Sequence, residues 1–149
     1  MHQNMKSFCE LQAIKKEIEI AVILSPIKDA QPPTVLLKIN EKELFNGEVN
    51  EKLRLTSKIN LLEKIDIEIK LLNKNYKTSS NTAVIIDSLT LDTFDIVPNW
   101  TQLATYENDQ NILQPTNYLG FNGTWNLKIN EPFYRWKHRI TGQGWLLEP

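Results

Sequence analysis

The chain has 149 residues, 41% hydrophobic and 23% charged, with a formal net charge of −1 at pH 7. A domain of about 150 residues buries roughly two-thirds of its unfolded surface, so one core can hold this chain without a disulfide or metal staple. The near-neutral balance excludes a general nucleic-acid binder, whose affinity comes from clustered positive charge. No stretch approaches the roughly 20 apolar residues of a membrane span, and the lone Cys9 rules out an internal disulfide.

Residues 1–13, MHQNMKSFCELQA, lack the apolar run of a secretory signal. They read as an N-terminal arm or short helix ahead of a domain over 14–149. From EIEIAVIL onward the dominant period is two: Ile18, Ile20, Val22 and Leu24 share one face, and Glu17, Glu19 and Ala21 the other. SPIKDAQPP, with Pro26, Pro32 and Pro33, interrupts the ladder. TVLLKIN resumes it with Val35, Leu37 and Ile39 inward, Asn40 to Glu43 form a tight reversal, and LFNGEVN is a short strand. KLRLTSKINLL and IDIEIKLL follow, the latter setting Ile65, Ile67, Ile69 and Leu71 against Asp66, Glu68 and Lys70. The stretch LTSKINLLEKIDIEIKLL also fits a helix, since Ile59, Leu62, Ile69 and Leu72 sit near helical spacing, but strict alternation favours strand.

The polar NKNYKTSSNT is a loop, after which AVIIDSLTLDTFDI gives a long strand or a strand pair, with Val84 and Ile86, then Leu89 and Leu91, inward; VPNW closes it. Thr105 to Asn117 reads as loop, and YLGFNG as a turn leading into TWNLKIN, where Trp125, Leu127 and Ile129 share a face. EPFYRWKHRI is expected to be the penultimate strand and GQGWLL the last, with Gly142 and Gly144 turning the backbone so that Trp145 and Leu147 enter the core. Short strands with turn signals every 8 to 12 residues predict an all-β protein: a single-domain antiparallel β-sandwich, jelly-roll-like.

The rings are unevenly placed: Trp100, Trp125, Trp136 and Trp145 all lie in the last third. Sugar binders combine exposed rings with amide and carboxylate side chains. Trp100, Tyr106, Asn108, Asp109, Gln110, Asn111, Asn117, Tyr118 and Trp136 supply that mixture, although rings also build cores and Asn and Asp also build turns. Asp87, Asp92, Asp95, Glu107 and Asp109 offer hard oxygens of the kind Ca²⁺ takes, without a loop signature to join them. On a strand, Arg135, Lys137 and Arg139 form a basic stripe suited to an anionic partner or to a plain solvated face.

An enzyme finds little here. The two histidines are His2 and His138, too few for a histidine metal site, and no nucleophile motif surrounds either. A carboxylate pair for glycoside hydrolysis is available in type from Glu48, Glu63, Asp66 and Glu68. The triplets Asn99-Trp100-Thr101 and Asn122-Gly123-Thr124 match the glycosylation pattern, as chance allows in an Asn-rich chain.

The block PTNYLGFNGTWNLKINEPFYRWKHRITGQGWLLEP, with NTAVIIDSLTLDT and VPNW, resembles a family of small proteins of large tailed bacteriophages of marine bacteria. The likeness covers roughly residues 34–149 and is most specific in GFNGTW, PFYRW and TGQGWLLEP. It implies a compact β-sandwich related in outline to carbohydrate-binding modules, some of which hold calcium. Those modules often carry an acidic residue before the central strand, where this chain has Thr78-Ser79-Ser80-Asn81-Thr82. The resemblance implies no catalytic residues. It implies a virion-associated or host-surface-binding accessory protein, present in the host cytoplasm during assembly, that contacts polysaccharide or other virion proteins. The expected function is therefore a non-catalytic binding or structural module, with no resident cofactor unless calcium. The alternatives are a purely structural homo-oligomeric assembly protein and a small glycan-cleaving enzyme.

Overall fold

The computed structural model describes residues 17–29, 31–72, 74, 81–109, 112–113 and 116–142. Alternation builds its first strand, β1 (Glu17–Ile27), in which Ile18, Ile20, Val22 and Leu24 are buried while Glu17 and Glu19 face water. Period-two side chains let one face of a strand meet a core and the other meet solvent. β1 lies between β4 (Leu53–Asn60) and β6 (Ala83–Leu91), and the far side of β6 carries β7 (Phe94–Val97) and β10 (Tyr118–Leu119). The second sheet runs β3 (Lys42–Glu48), β2 (Thr34–Ile39), β5 (Ile65–Leu71), β11 (Thr124–Ile129), β8 (Thr105–Glu107) and β9 (Ile112–Leu113). Every pairing among the described residues is antiparallel.

The inner faces meet in one apolar cluster. Ile20, Val22, Leu24, Ile86 and Leu89 from the first sheet join Leu37, Ile67, Ile69, Trp125 and Leu127 from the second. Burying a side chain of this size contributes about 1.5–3 kcal/mol each, so the expected β-sandwich is what these residues stabilise best. The stretch from Leu53 to Leu71 is two strands, β4 and β5, and not a helix. The expected reversal after Ile39 is there: Asn40 and Glu41 adopt φ of 52° and 66°. The Asn40 side chain accepts the Asp66 N–H at 2.7 Å, tying this hairpin to the start of β5. The change of phase between Ile86 and Leu89 is a β-bulge at Asp87, the extra residue opposite the Ile23–Leu24 step.

Three expectations are corrected. Pro26 does not end β1: its pairing to β4 stops at Leu24, so Pro26 sits on a strand with one open side, where a missing N–H costs no ladder bond. Thr105 to Asn117 is not all loop, because Tyr106 is drawn into the core and pairs with Trp125 and Leu113, giving the short β8 and β9. FYRWKHRI is not a strand. It is the helix α1 (Phe133–Thr141), starting after Pro132 and stopped by Gly142 at φ 70°. Proline before and a left-handed glycine after are helix boundary signals, and Phe133, Trp136 and Ile140 recur at helical spacing against the core. The N-terminal arm, most of loop 73–82, and residues 143–149 of the expected closing strand, with Trp145 and Leu147, lie outside the described residues.

Candidate functional site

While the isoleucines of β5 point inward, Asp66, Glu68 and Lys70 point away from the core. The same alternation in β11 buries Trp125, Leu127 and Ile129 and turns out Thr124, Asn126 and Lys128. Register then sets Asn126 opposite Glu68, Lys128 opposite Asp66, and Thr124 opposite both Lys70 and Glu107. Asn108 and Asp109, which follow β8, complete a cleft of about 380 Å³ lined by Asp66, Glu68, Glu107, Asn108, Asp109, Thr124, Asn126 and Lys128.

Its floor is held by strands. Asn126 Nδ2 donates to Asp66 Oδ1 at 2.6 Å and to the Ile67 carbonyl at 3.0 Å, which fixes both side chains. Glu68 lies 3.9 Å from Lys70 across partly exposed surface, a contact of little energy in water. The rim is braced from behind. Asn108 Nδ2 donates to the Asn122 carbonyl at 3.0 Å. The Asn122 side chain accepts the Lys74 N–H at 2.8 Å and donates to the Lys74 carbonyl at 2.9 Å. Tyr106 Oη accepts the Phe121 N–H at 3.1 Å and donates to the Phe121 carbonyl. Lys74 Nζ donates to the Gly120 carbonyl, and burial lowers its pKa while Asp29 works the other way. Gly123 is required by the close approach, since a Cβ there would stand 2.8 Å from the Glu107 carbonyl.

No protein-family model and no curated protein matches the chain. Solved structures do. The selenomethionine form of vCBM60 belongs to work on a circular permutation linking two families of calcium-dependent carbohydrate-binding modules. It superposes with a TM-score of 0.52 at 11% identity, over 75% of this chain and 91% of that one. vCBM60 in complex with galactobiose gives a TM-score of 0.50 at 11% identity, over 74% and 99%. The chain shares the β-sandwich fold of these structures.

On this fold the residues expected from sequence separate. Asn108 and Asp109 line the cleft. Tyr106, at 0% exposure, and Trp136, at 5%, are core rings and not ligand platforms, because Tyr106 faces inward beside Trp125 and Trp136 lies on the apolar side of α1. Trp100 is half-buried, with its ring 6.0 Å from Phe94. Tyr118 is exposed, but it stands on the edge of the other sheet. Asn117 donates to the Ile86 carbonyl, while Gln110 and Asn111 lie outside the described residues.

The basic stripe does not form. The helix puts Arg135 and Arg139 beside Glu131, at 3.7 and 2.6 Å, and turns Lys137 onto the Phe94 ring at 5.1 Å. The carboxylates suggested for a metal are also apart. Asp87 sits in the bulge with Ser25 and Lys52, Asp92 accepts from Tyr134 in the β6–β7 turn, and Asp109 follows β8 of the second sheet.

Of the carboxylates considered for hydrolysis, Asp66 and Glu68 enter the cleft, whereas Glu48 ends β3 and Glu63 lies in the β4–β5 turn. Asn126 and Lys128 were not singled out by the sequence, and Thr124 only as part of the Asn122-Gly123-Thr124 triplet. Their signal was the off-phase letters of TWNLKIN, the complement of the face that Trp125, Leu127 and Ile129 define. The cleft offers hard oxygens, the ligand type calcium takes. Among the described residues, however, no three acidic side chains converge, and the Lys128 ammonium shares the space. Among the described residues the donor set of this cleft does not fit a resident calcium ion.

Proposed function

We propose that this chain is a non-catalytic module that binds carbohydrate in the cleft on the outer face of the six-stranded sheet. One observation carries the reading: hydrogen-bonding side chains fixed on rigid strands line a cleft, in a fold shared with vCBM60, which is solved with galactobiose. Sugar hydroxyls donate and accept. The carboxylates of Asp66, Glu68, Glu107 and Asp109 accept, Lys128 donates, and the Asn108 and Asn126 amides do both. Groups held by strands lose little freedom on binding, which preserves the net of about 0.5–1.5 kcal/mol per hydrogen bond. Among the described residues no ring lines the cleft, so recognition here runs through hydroxyl geometry and not through stacking. Isothermal calorimetry against a panel of oligosaccharides tests it. Binding that Asn126→Ala weakens at unchanged melting temperature supports the cleft; a wild-type protein that binds none of them ends the reading.

Four carboxylates line the cleft at separate points, and because hydrolysis needs only two, an acid and a partner carboxylate, they favour that as one second reading. Reducing-end release from a bound oligosaccharide, abolished in Glu107→Gln, would establish it. We also propose a place for the module on a phage particle, supported by the resemblance of GFNGTW and PFYRW. Mass spectrometry of purified particles is the check, and absence of the chain from them would remove that role.

A further inference from the structure

Resting on the carbohydrate reading above, we infer that the ligand of this cleft is a glycan bearing free amino groups, such as a polymer of de-N-acetylated hexosamine. The argument is the distribution of charge around the cavity and not the presence of acids alone. On the floor the carboxylates are answered. Asp66 accepts from Asn126 and faces Lys128 across the β5–β11 register; Glu68 lies beside Lys70 and opposite Lys38 of β2. The rim is different. Glu107 stands opposite Thr124 on one side and Ile112 on the other, and both Glu107 and Asp109 are exposed. Among the described residues neither has an ion-pair partner.

The cavity thus has a neutralised floor, suited to hydroxyls, and an uncompensated anionic rim, suited to a cation on the same ligand. An ammonium substituent on the sugar ring meets both demands. Its three N–H donors match acceptor-only carboxylates, and charge-assisted bonds of this kind are about twice as strong as neutral ones. The same rim opposes uronate, sulfate and phosphate groups. The rest of the rim is fixed, since Asn108 is bonded to the Asn122 carbonyl, so the two carboxylates flank a positioned amide.

The test compares two polymers of one backbone. Wild-type protein, treated with chelator so that no divalent ion contributes, is titrated with a β-1,4-linked glucosamine hexamer, with its fully N-acetylated counterpart, and with an oligouronate. The inference expects the amine form to bind about tenfold tighter than the acetylated one, with a preference that shrinks as salt rises. The uronate should be weakest. In the double variant Glu107→Gln, Asp109→Asn, which alters exposed side chains only, the ratio of amine to acetylated affinity should fall to about one. In Lys128→Gln, which removes the one cation among the described lining residues, the ratio should rise. Equal binding of the two hexamers, or a preference for uronate, overturns the inference and leaves the carbohydrate reading standing. A ratio unchanged in the double variant also overturns it. Binding of no glycan at all removes the reading beneath it.

Discussion

Tyr106→Phe separates a core tyrosine from a ligand tyrosine, the two roles that its sequence neighbourhood allowed. The ring is fully buried, 4.1 Å from Phe121 between centroids, and its hydroxyl satisfies both the N–H and the carbonyl of Phe121. Phenylalanine keeps the ring contact and removes only the hydroxyl. Two backbone groups in a partly buried turn then lose their partner. Leaving a buried donor or acceptor unmatched costs about 1–3 kcal/mol, so we expect a loss of about 2 kcal/mol. For a domain of about 150 residues this lowers the melting temperature by roughly 4–8 °C. Urea unfolding followed by tryptophan fluorescence reads the loss as a shift in midpoint with an unchanged m-value. Tyr106→Ala removes the ring as well and costs about 3–5 kcal/mol, a large share of an ordinary folding margin. If Tyr106→Phe keeps wild-type stability within about 0.5 kcal/mol and loses oligosaccharide binding, the hydroxyl serves the ligand and the reasoning fails.

Ile67→Ala, at a fully buried position of β5, should destabilise by about 2–5 kcal/mol in the same urea titration. Gly142→Ala places a Cβ at φ 70° with no neighbouring atom to relieve or worsen it, so its cost is backbone strain of about 1 kcal/mol, visible as a melting shift of a few degrees. Arg139→Ala breaks a close but exposed ion pair with Glu131 and should change stability by less than about 0.5 kcal/mol; a larger loss would give Arg139 a role beyond that pair. For Lys74, burial lowers the folded pKa below its ordinary 10.5. The unfolded chain therefore binds more protons between the two values, and stability rises with pH across that window. Lys74→Met should remove this rise, measured as the wild-type-minus-variant difference in unfolding free energy between neutral and alkaline pH.

The strands were legible where alternation ran long enough to be unambiguous. Residues 17–24, 34–39, 65–71 and 124–129 each announce a buried face, and the structure keeps every one of those phases. Short segments carried no such signal. Three residues around Tyr106 cannot display a period, and FYRWKHRI fits two periods at once. Its alternation of rings and cations imitates a strand, while Phe133, Trp136 and Ile140 fit a helix, and the bracketing Pro132 and Gly142 decide between them. The cleft was legible only in fragments. Asn108 and Asp109 stood out as polar letters beside rings, but Tyr106 and Trp136 went to the core, and the cleft was completed by outward residues of two distant strands, such as Asp66 and Asn126, 60 positions apart.

By itself the sequence determined a two-sheet architecture, because side chains alternate at every second residue and only an apolar face against another apolar face buries them all. It determined also which letters point outward on each long strand. What the tertiary structure decided was adjacency. Nothing local in IDIEIKLL or TWNLKIN says that the two strands pair, or in what register. Only the antiparallel alignment of β5 with β11, and of β11 with β8, brings Asp66, Glu68, Asn126 and Glu107 around one cavity. The physical reason is range: periodicity is written in neighbouring residues, whereas a site is written in contacts between distant ones, and those exist only after the sheet has closed.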